Sequence, residues 1–319
     1  MNIADRLIKK IISLKSPVVV GLDPVLSSIP DVYKDPYCNL SDPFEGVART
    51  LLDFNRDIID AVYEIAPVVK PQIAFYEKYG PRGFWAFHEI VKYAQSKDMI
   101  VIGDGKRNDI GNTATAYAEG HLGKVELLNG EKQPALDLDW LTVSPFMGRD
   151  SLDPFIETCI NNNKGVFILV KTSNPSSEDI QNRVTEKGRT IYADLAAYVN
   201  EQAQRFVGEY GYSPIGAVVG ATFPYEAEEL REIMPNNIFL VPGYGAQGGD
   251  AKSVVPCFND DALGALVNNS RGIMNAWKEK FAPSQCTKAD FKGCVAEATE
   301  TMRCKIIEAL KEDGKELLK

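Results

Sequence analysis

The residues with the most chemical potential crowd into ten positions, Asp104-Gly105-Lys106-Arg107-Asn108-Asp109-Ile110-Gly111-Asn112-Thr113. They follow a short apolar, β-branched run at 99–103 (MIVIG), which reads as a buried strand. Alternation along a strand sends Asp104 and Lys106 the same way from its carboxyl end, with Gly103 and Gly105 leaving room beside them. Asp109 lies three residues past the lysine, where Gly111, Asn112 and Thr113 supply turn and N-cap chemistry for a helix over 114–122. A lysine among carboxylates is favoured as its ammonium, which suits proton donation rather than nucleophilic attack. The competing reading is an ordinary salt-bridge ladder at a strand end, but three charges in one turn are costly without a chemical use.

Stepping outward from that turn, short β-branched runs alternate with longer helical stretches. Strands are expected at 18–21, 68–70, 100–104, 141–143, 166–171, 217–220, 238–241 and 265–268, with helices including 44–66, 83–96, 153–162, 190–210 and 225–234. Eight such units predict an α/β fold, a (β/α)8 TIM barrel. One domain spans 1–319, with the barrel core at about 17–275 and a C-terminal helical extension at 276–319 that shows amphipathic spacing from Thr287 on. Residues 125–139 read as an insertion before strand four. Residues 174–189 form a polar loop after strand five, of the kind that acts as a lid.

Chemistry in such a barrel sits at the carboxyl ends of the strands. Those ends carry Gly21-Leu22-Asp23-Pro24, Lys70-Pro71-Gln72, Asp104 with Lys106, Lys171-Thr172-Ser173-Asn174, Pro242 through Gly248, and Asn269-Ser270-Arg271-Gly272. Asp23 before a proline, taken alone, is as readily a turn residue. Gly243-x-Gly245-x-x-Gly248 fits a dinucleotide fingerprint in form, but it follows the seventh strand instead of opening a first β-α unit. Loops after strands seven and eight commonly hold a phosphate, and Gln247 with Arg271 would complete that grip.

Other chemistries are excluded by what is missing. The two histidines, His88 and His121, fall inside helical patterns, and no Gly-x-Ser-x-Gly elbow, Walker loop or His-Glu-x-x-His occurs, so acid-base work falls to Lys and Asp. Lysine plus arginine number 35 against 44 acids, a net charge of -9, which argues against nucleic acid or an anionic membrane as the main partner. The six cysteines show neither Cys-x-x-Cys nor zinc spacing and read as reduced thiols. The first sixteen residues lack the features of a signal peptide, and no run of about eighteen apolar residues occurs, so a cytoplasmic protein is expected.

The motif Asp-x-Lys-x-x-Asp-Ile-Gly-Asn-Thr at 104–113 resembles orotidine 5'-phosphate decarboxylase, in its longer bacterial subtype. The likeness extends to Gly-Leu-Asp-Pro at 21–24, Val-Lys-Pro-Gln-Ile-Ala-Phe-Tyr-Glu at 69–77, Val-Lys-Thr-Ser-Asn-Pro at 170–175, Pro-Gly-Tyr-Gly-Ala-Gln-Gly-Gly at 242–249 and Asn-Ser-Arg-Gly at 269–272. It implies a homodimer of barrels that turns orotidine 5'-phosphate into UMP and carbon dioxide with no metal, no organic cofactor and no covalent intermediate. It further implies that Lys70, Asp104, Lys106 and Asp109 form an alternating charged array, with Asp109, Ile110 and Thr113 reaching into the partner's site. Asp23 and Lys70 resemble the ribose-hydroxyl contacts, and Gln247 with Arg271 the phosphate contacts. Either of Thr172 and Ser173 would read the pyrimidine edge, and Pro242 and Ser270, inside matching motifs, join the substrate-binding set.

Loss of carbon dioxide from ring carbon six leaves a carbanion with no neighbouring electron sink, which Lys106 would stabilise and then protonate. Two rivals remain open: magnesium-dependent phosphosugar decarboxylases and aldolases with a similar Asp-x-Lys-x-x-Asp core, and a regulatory barrel that only binds a nucleotide. Lys70 at the second strand's end, where a metal site would want an acid, weighs against the first, and the intact Asp104, Lys106 and Asp109 weigh against the second.

Overall fold

Eight segments are apolar on both faces, which a strand tolerates only when it is covered on both sides, as in a parallel sheet wrapped by helices. In the computed structural model, which describes residues 2–245 and 248–316, these segments are β1 (Val18–Leu22), β2 (Val68–Pro71), β3 (Ile100–Arg107), β4 (Trp140–Val143), β5 (Gly165–Lys171), β6 (Ser213–Val219), β7 (Asn237–Val241) and β8 (Ala265–Asn269). They pair in parallel, in chain order, and β8 closes on β1 to make the barrel. The expected eight-stranded barrel is therefore present, with strands differing from the expected bounds by a few residues at their ends. The largest differences are at β3, which continues through the catalytic candidates to Arg107, and at β6, which starts at Ser213.

Alternation sorts each strand's side chains into two layers. The inward set, including Val19, Val68, Ile100, Ile102, Trp140, Phe167, Ile238 and Leu266, fills the barrel. Its amino-terminal end is stoppered by Ile3, Leu7, Ile8 and Ile11 of α1 (Ile3–Leu14), whose start is secured by a capping box between Asn2 and Asp5. The indole of Trp140 stacks on Phe167 at 4.6 Å, in space that Gly165 leaves open: a Cβ there would come within 2.4 Å of the indole.

The outward set packs under helices. These are α2 (Pro43–Val62), α3 (Gly80–Ser96), α4 (Gly111–His121), α5 (Asp153–Asn162), α6 (Ile191–Gln204) and α7 (Pro224–Ile233). α2 shows why such helices begin where they do: the Asp42 side chain accepts from the amides of Phe44 and Glu45, and Pro43 supplies a preset first turn. The C-terminal helix, α8 (Lys288–Glu312), is present as expected. It lies against α2, with Phe291 packed at 4.9 Å from Phe54 and 5.4 Å from Tyr33.

Two local expectations change. α4 starts at Gly111 rather than Ala114, and no side chain caps it. The reversal is made by Gly111 itself at φ +53°, and Asp109 Oδ1 accepts the Ile110 amide at 2.8 Å, so Asn112 and Thr113 lie inside the first turn. The 125–139 segment contains a small antiparallel ribbon, Val125–Glu126 with Lys132–Gln133, and then tucks Leu138 into the core.

Candidate active site

Because all eight strands run parallel, their carboxyl ends meet at one mouth. A cavity of about 430 Å³ opens there, lined by Asp23 after β1, Lys70 from β2, and Asp104 and Lys106 from β3. Thr172 and Ser173 after β5, Pro242 after β7, and Ser270 and Arg271 after β8 line the same cavity. Strand ends far apart in sequence are thus brought together, including nine of the sites expected from sequence. Leu169, Val218 and Leu240 add apolar lining.

The centre of the cavity is a chain of charges. Asp104 Oδ2 accepts from Lys70 Nζ at 2.7 Å, and Asp104 Oδ1 accepts from Lys106 Nζ at 2.6 Å. The Asp104 and Lys70 side chains are only 10% and 5% exposed, whereas that of Lys106 is 48% exposed. Burial works against charge on Asp104, but the two ammonium groups outweigh it and hold its carboxyl well below the usual carboxylate range. Burial likewise opposes the Lys70 ammonium, and the carboxylates of Asp104 and Asp23 outweigh it, so its pKa is raised. A buried carboxylate held ionised between two cations is a preorganised field at the cavity's wall.

Asp109, Ile110 and Thr113 do not line this cavity. Asp109 and Ile110 sit between β3 and α4 and Thr113 in the first turn of α4, with Ile110 49% exposed and Thr113 exposed. Gln247 lies outside the described residues. Arg271 is exposed at the rim and begins a short helix, Arg271–Met274. Gly21 is required by Ser270: a Cβ on residue 21 would stand 1.9 Å from the Ser270 hydroxyl.

The two histidines stand apart from the charge chain. His121 is buried, donates through Nδ1 to the Tyr117 carbonyl (2.8 Å), and is pushed down to about 4 by burial. His88 is half-buried and also lowered by burial. Arg107, next to Lys106, turns to an ion pair with Glu77 and a cation–π contact over Tyr117 at 5.6 Å.

Two polar residues of the site were missed in the sequence. Thr142 on β4 is 1% exposed; its Oγ1 accepts from the Lys106 amide at 2.9 Å and donates to Asp104 Oδ1 at 3.0 Å. The only available signal was a lone hydroxyl inside the apolar run Trp140–Val143. Asn268, buried beside Ser270 and 3.4 Å from its hydroxyl, was also unmarked.

A larger cleft of about 740 Å³ lies between α7 and the carboxyl end of α8, away from the strand ends. It does not gather the strand-end residues, and among its charged lining the buried Arg231 is spent on structure, donating to the carbonyls of Met234, Asn237, Cys257 and Gly264. The smaller cavity is therefore the candidate active site.

Residues 16–282 match the family described as orotidine 5'-phosphate decarboxylase / HUMPS. An orotidine 5'-phosphate decarboxylase from Rhodopirellula baltica is 42% identical over 302 residues, covering 95% of this chain and 98% of the relative. Another, from Caldicellulosiruptor bescii, is 40% identical over 279 residues, covering 87% and 91%. Among solved structures, the OMP decarboxylase of Leishmania donovani superposes with a TM-score of 0.65 at 29% identity, covering 95% of this chain and 100% of that one.

Proposed function

The chain belongs to the orotidine 5'-phosphate decarboxylase / HUMPS family, and from that premise we propose how its cavity turns orotidine 5'-phosphate into UMP and carbon dioxide in pyrimidine biosynthesis. The observation that carries the reading is the Lys70–Asp104–Lys106 chain, with contacts of 2.7 and 2.6 Å, at the barrel mouth. With ring carbon six of the substrate over Lys106, the bond to the carboxylate breaks, its electron pair stays on the ring carbon, and carbon dioxide leaves. The Lys106 ammonium stabilises that pair and then gives it a proton, and the resulting amine regains a proton from water. Asp104 keeps the lysines in place and presents negative charge where the substrate carboxylate arrives.

The remaining roles are those that the family resemblance implies, and some have support in the geometry. Asp23 Oδ1 is buried without a hydrogen-bond partner among the described residues, which supports its assignment, with Lys70, to the ribose hydroxyls. The Thr172 hydroxyl donates to Asn174 Oδ1 at 2.7 Å and accepts from Gln181 at 2.9 Å, and its amide donates to the same Gln181 at 3.0 Å. Thr172 is thus engaged, so Ser173 is assigned the pyrimidine edge. Pro242 and Ser270 shape the pocket, and Gln247 with Arg271 take the phosphate, whose remote binding energy favours closure of the 174–189 loop.

The protein works as a homodimer with shared sites. Asp109, Ile110 and Thr113 do not line their own cavity, and the exposed Ile110 (49%), Phe146 (77%) and Met147 (46%) offer apolar surface for a second barrel to cover. The chain is one domain over 1–319, residing in the cytoplasm, where its six free cysteines fit a reducing compartment. Its net charge of -9 argues against nucleic acid or an anionic membrane as the main partner, so the anionic substrate needs a local basic pocket.

The test is the ultraviolet absorbance of orotidine 5'-phosphate mixed with purified protein in excess chelator. Rapid conversion to UMP is expected. Conversion of a phosphosugar only after magnesium is added would replace this reading with that of a metal-dependent barrel.

A further inference from the structure

The ladder between β3 and β4 is broken at the charged turn. Gly103 pairs with Leu141 and Arg107 with Val143, so Asp104, Gly105 and Lys106 bulge opposite Thr142 alone. Bulges re-aim side chains, and here the bulge lets two residues of one strand face the cavity together. It also leaves Lys106 without a register partner on β4, and it places Lys106 at φ +46°, a left-handed conformation that side-chain-bearing residues avoid. The Thr142 hydroxyl fills that gap by accepting from the Lys106 amide at 2.9 Å.

A hydroxyl has one proton to give. Because its oxygen receives the Lys106 N–H, its own O–H is directed at Asp104 Oδ1, 3.0 Å away, and an ionised carboxylate can only accept. Thr142 is β-branched, 1% exposed and held between Leu141 and Val143 in a closed barrel, so the hydroxyl has little freedom to turn elsewhere. The same hydroxyl therefore grips the backbone of the residue that meets ring carbon six and the carboxylate that orients its ammonium.

Resting on the decarboxylase reading above, we propose that Thr142 is a positioning residue of this reaction, setting the geometry of the Asp104–Lys106 pair from the neighbouring strand. It does not touch the substrate in this scheme; it works through Lys106 and Asp104.

The test compares Thr142→Val, which keeps the branched shape and removes the hydroxyl, with Thr142→Ser, which keeps the hydroxyl. For Thr142→Val, kcat is expected to fall about 10- to 100-fold, the range for losing a hydrogen bond to a charged group, with KM little changed. Thr142→Ser should stay near the parent. In Thr142→Val the acid limb of the kcat profile should move to higher pH, because Asp104 has lost a donor that favoured its ionised form. Thermal melting confirms folding, and Thr142→Ala replaces the valine variant if that one does not fold. Equal losses in the Val and Ser variants, a change confined to KM, or an unmoved acid limb would each overturn the role of the hydroxyl. The parent and Lys106→Ala separate the two layers: a parent that does not convert orotidine 5'-phosphate removes the decarboxylase reading and an active Lys106→Ala removes the role of Lys106, whereas an active parent and an inactive Lys106→Ala beside a fully active Thr142→Val overturn only the proposal for Thr142.

Discussion

Replacing Lys106 by alanine should stop the reaction while barely touching the fold, and the geometry says by how much. The Lys106 side chain is 48% exposed, so its ion pair with Asp104, although 2.6 Å long, is screened by solvent and contributes about 0–1 kcal/mol to stability. Asp104 is not stranded by the change, since Lys70 at 2.7 Å and the Thr142 hydroxyl at 3.0 Å remain. Thermal melting should therefore move by no more than about 4 °C. On the reaction side, removing a preorganised charge costs about 10²- to 10³-fold and removing a general acid about 10²- to 10⁴-fold, so kcat should fall at least about 10⁴-fold. That is roughly 5.5 kcal/mol of transition-state stabilisation, several times the stability change. The assay is absorbance loss of orotidine 5'-phosphate, run beside a melting curve and a UMP titration. A folded variant with kcat within about tenfold of the parent would refute the assignment, and a variant that fails to fold would refute the stability argument.

Asp104→Asn should behave in the opposite way. It leaves Lys70, whose side chain is 5% exposed, with Asp23 as its one other carboxylate influence among the described residues, so a loss of about 3–5 kcal/mol is expected in urea unfolding. The folded-state pKa of Asp104 is depressed, so its stabilisation is present above the unfolded value of about 3.9 and is lost as pH falls through the folded one. The gap between parent and variant should then be constant near neutrality and begin to close below about pH 4; a gap that widens with acid would contradict the ionised pair. Arg271→Ala should lower kcat/KM for orotidine 5'-phosphate by about 10- to 100-fold and leave orotidine unaffected, with equal losses on both arguing against a phosphate contact. Mixing Asp109→Ala with Lys106→Ala should restore activity through hybrid dimers carrying one intact site, and no rescue despite proven subunit exchange would count against shared sites.

The barrel was legible because its signals are local. β-Branched runs, helical periodicity and the turn residues between them each span a few positions, and eight such units in sequence leave few alternatives to closure. The ends of elements were less legible: α4 starts at Gly111 because a glycine at φ +53° makes the turn, and no cap motif announces that. The 174–189 loop reads as polar surface, yet Gln181 returns to clasp Thr172 through two hydrogen bonds, a contact between segments whose pairing no periodicity encodes.

For the site the division is sharper. Asp104 and Lys106 stand two apart at a strand end, so the sequence by itself determined that a lysine would stand near a carboxylate, while the bulge lets both face the cavity. It also marked the strand ends at which Asp23, Lys70, Ser173, Ser270 and Arg271 now meet. Only the tertiary structure decided that Lys70, 34 residues earlier, supplies Asp104 with its second cation, and that Thr142, 38 residues later, fills the bulge that Asp104 and Lys106 create. The reason is physical: side-chain periodicity is a property of one strand, whereas register, bulging and the left-handed turn at Lys106 are settled by how neighbouring strands pack as the barrel closes.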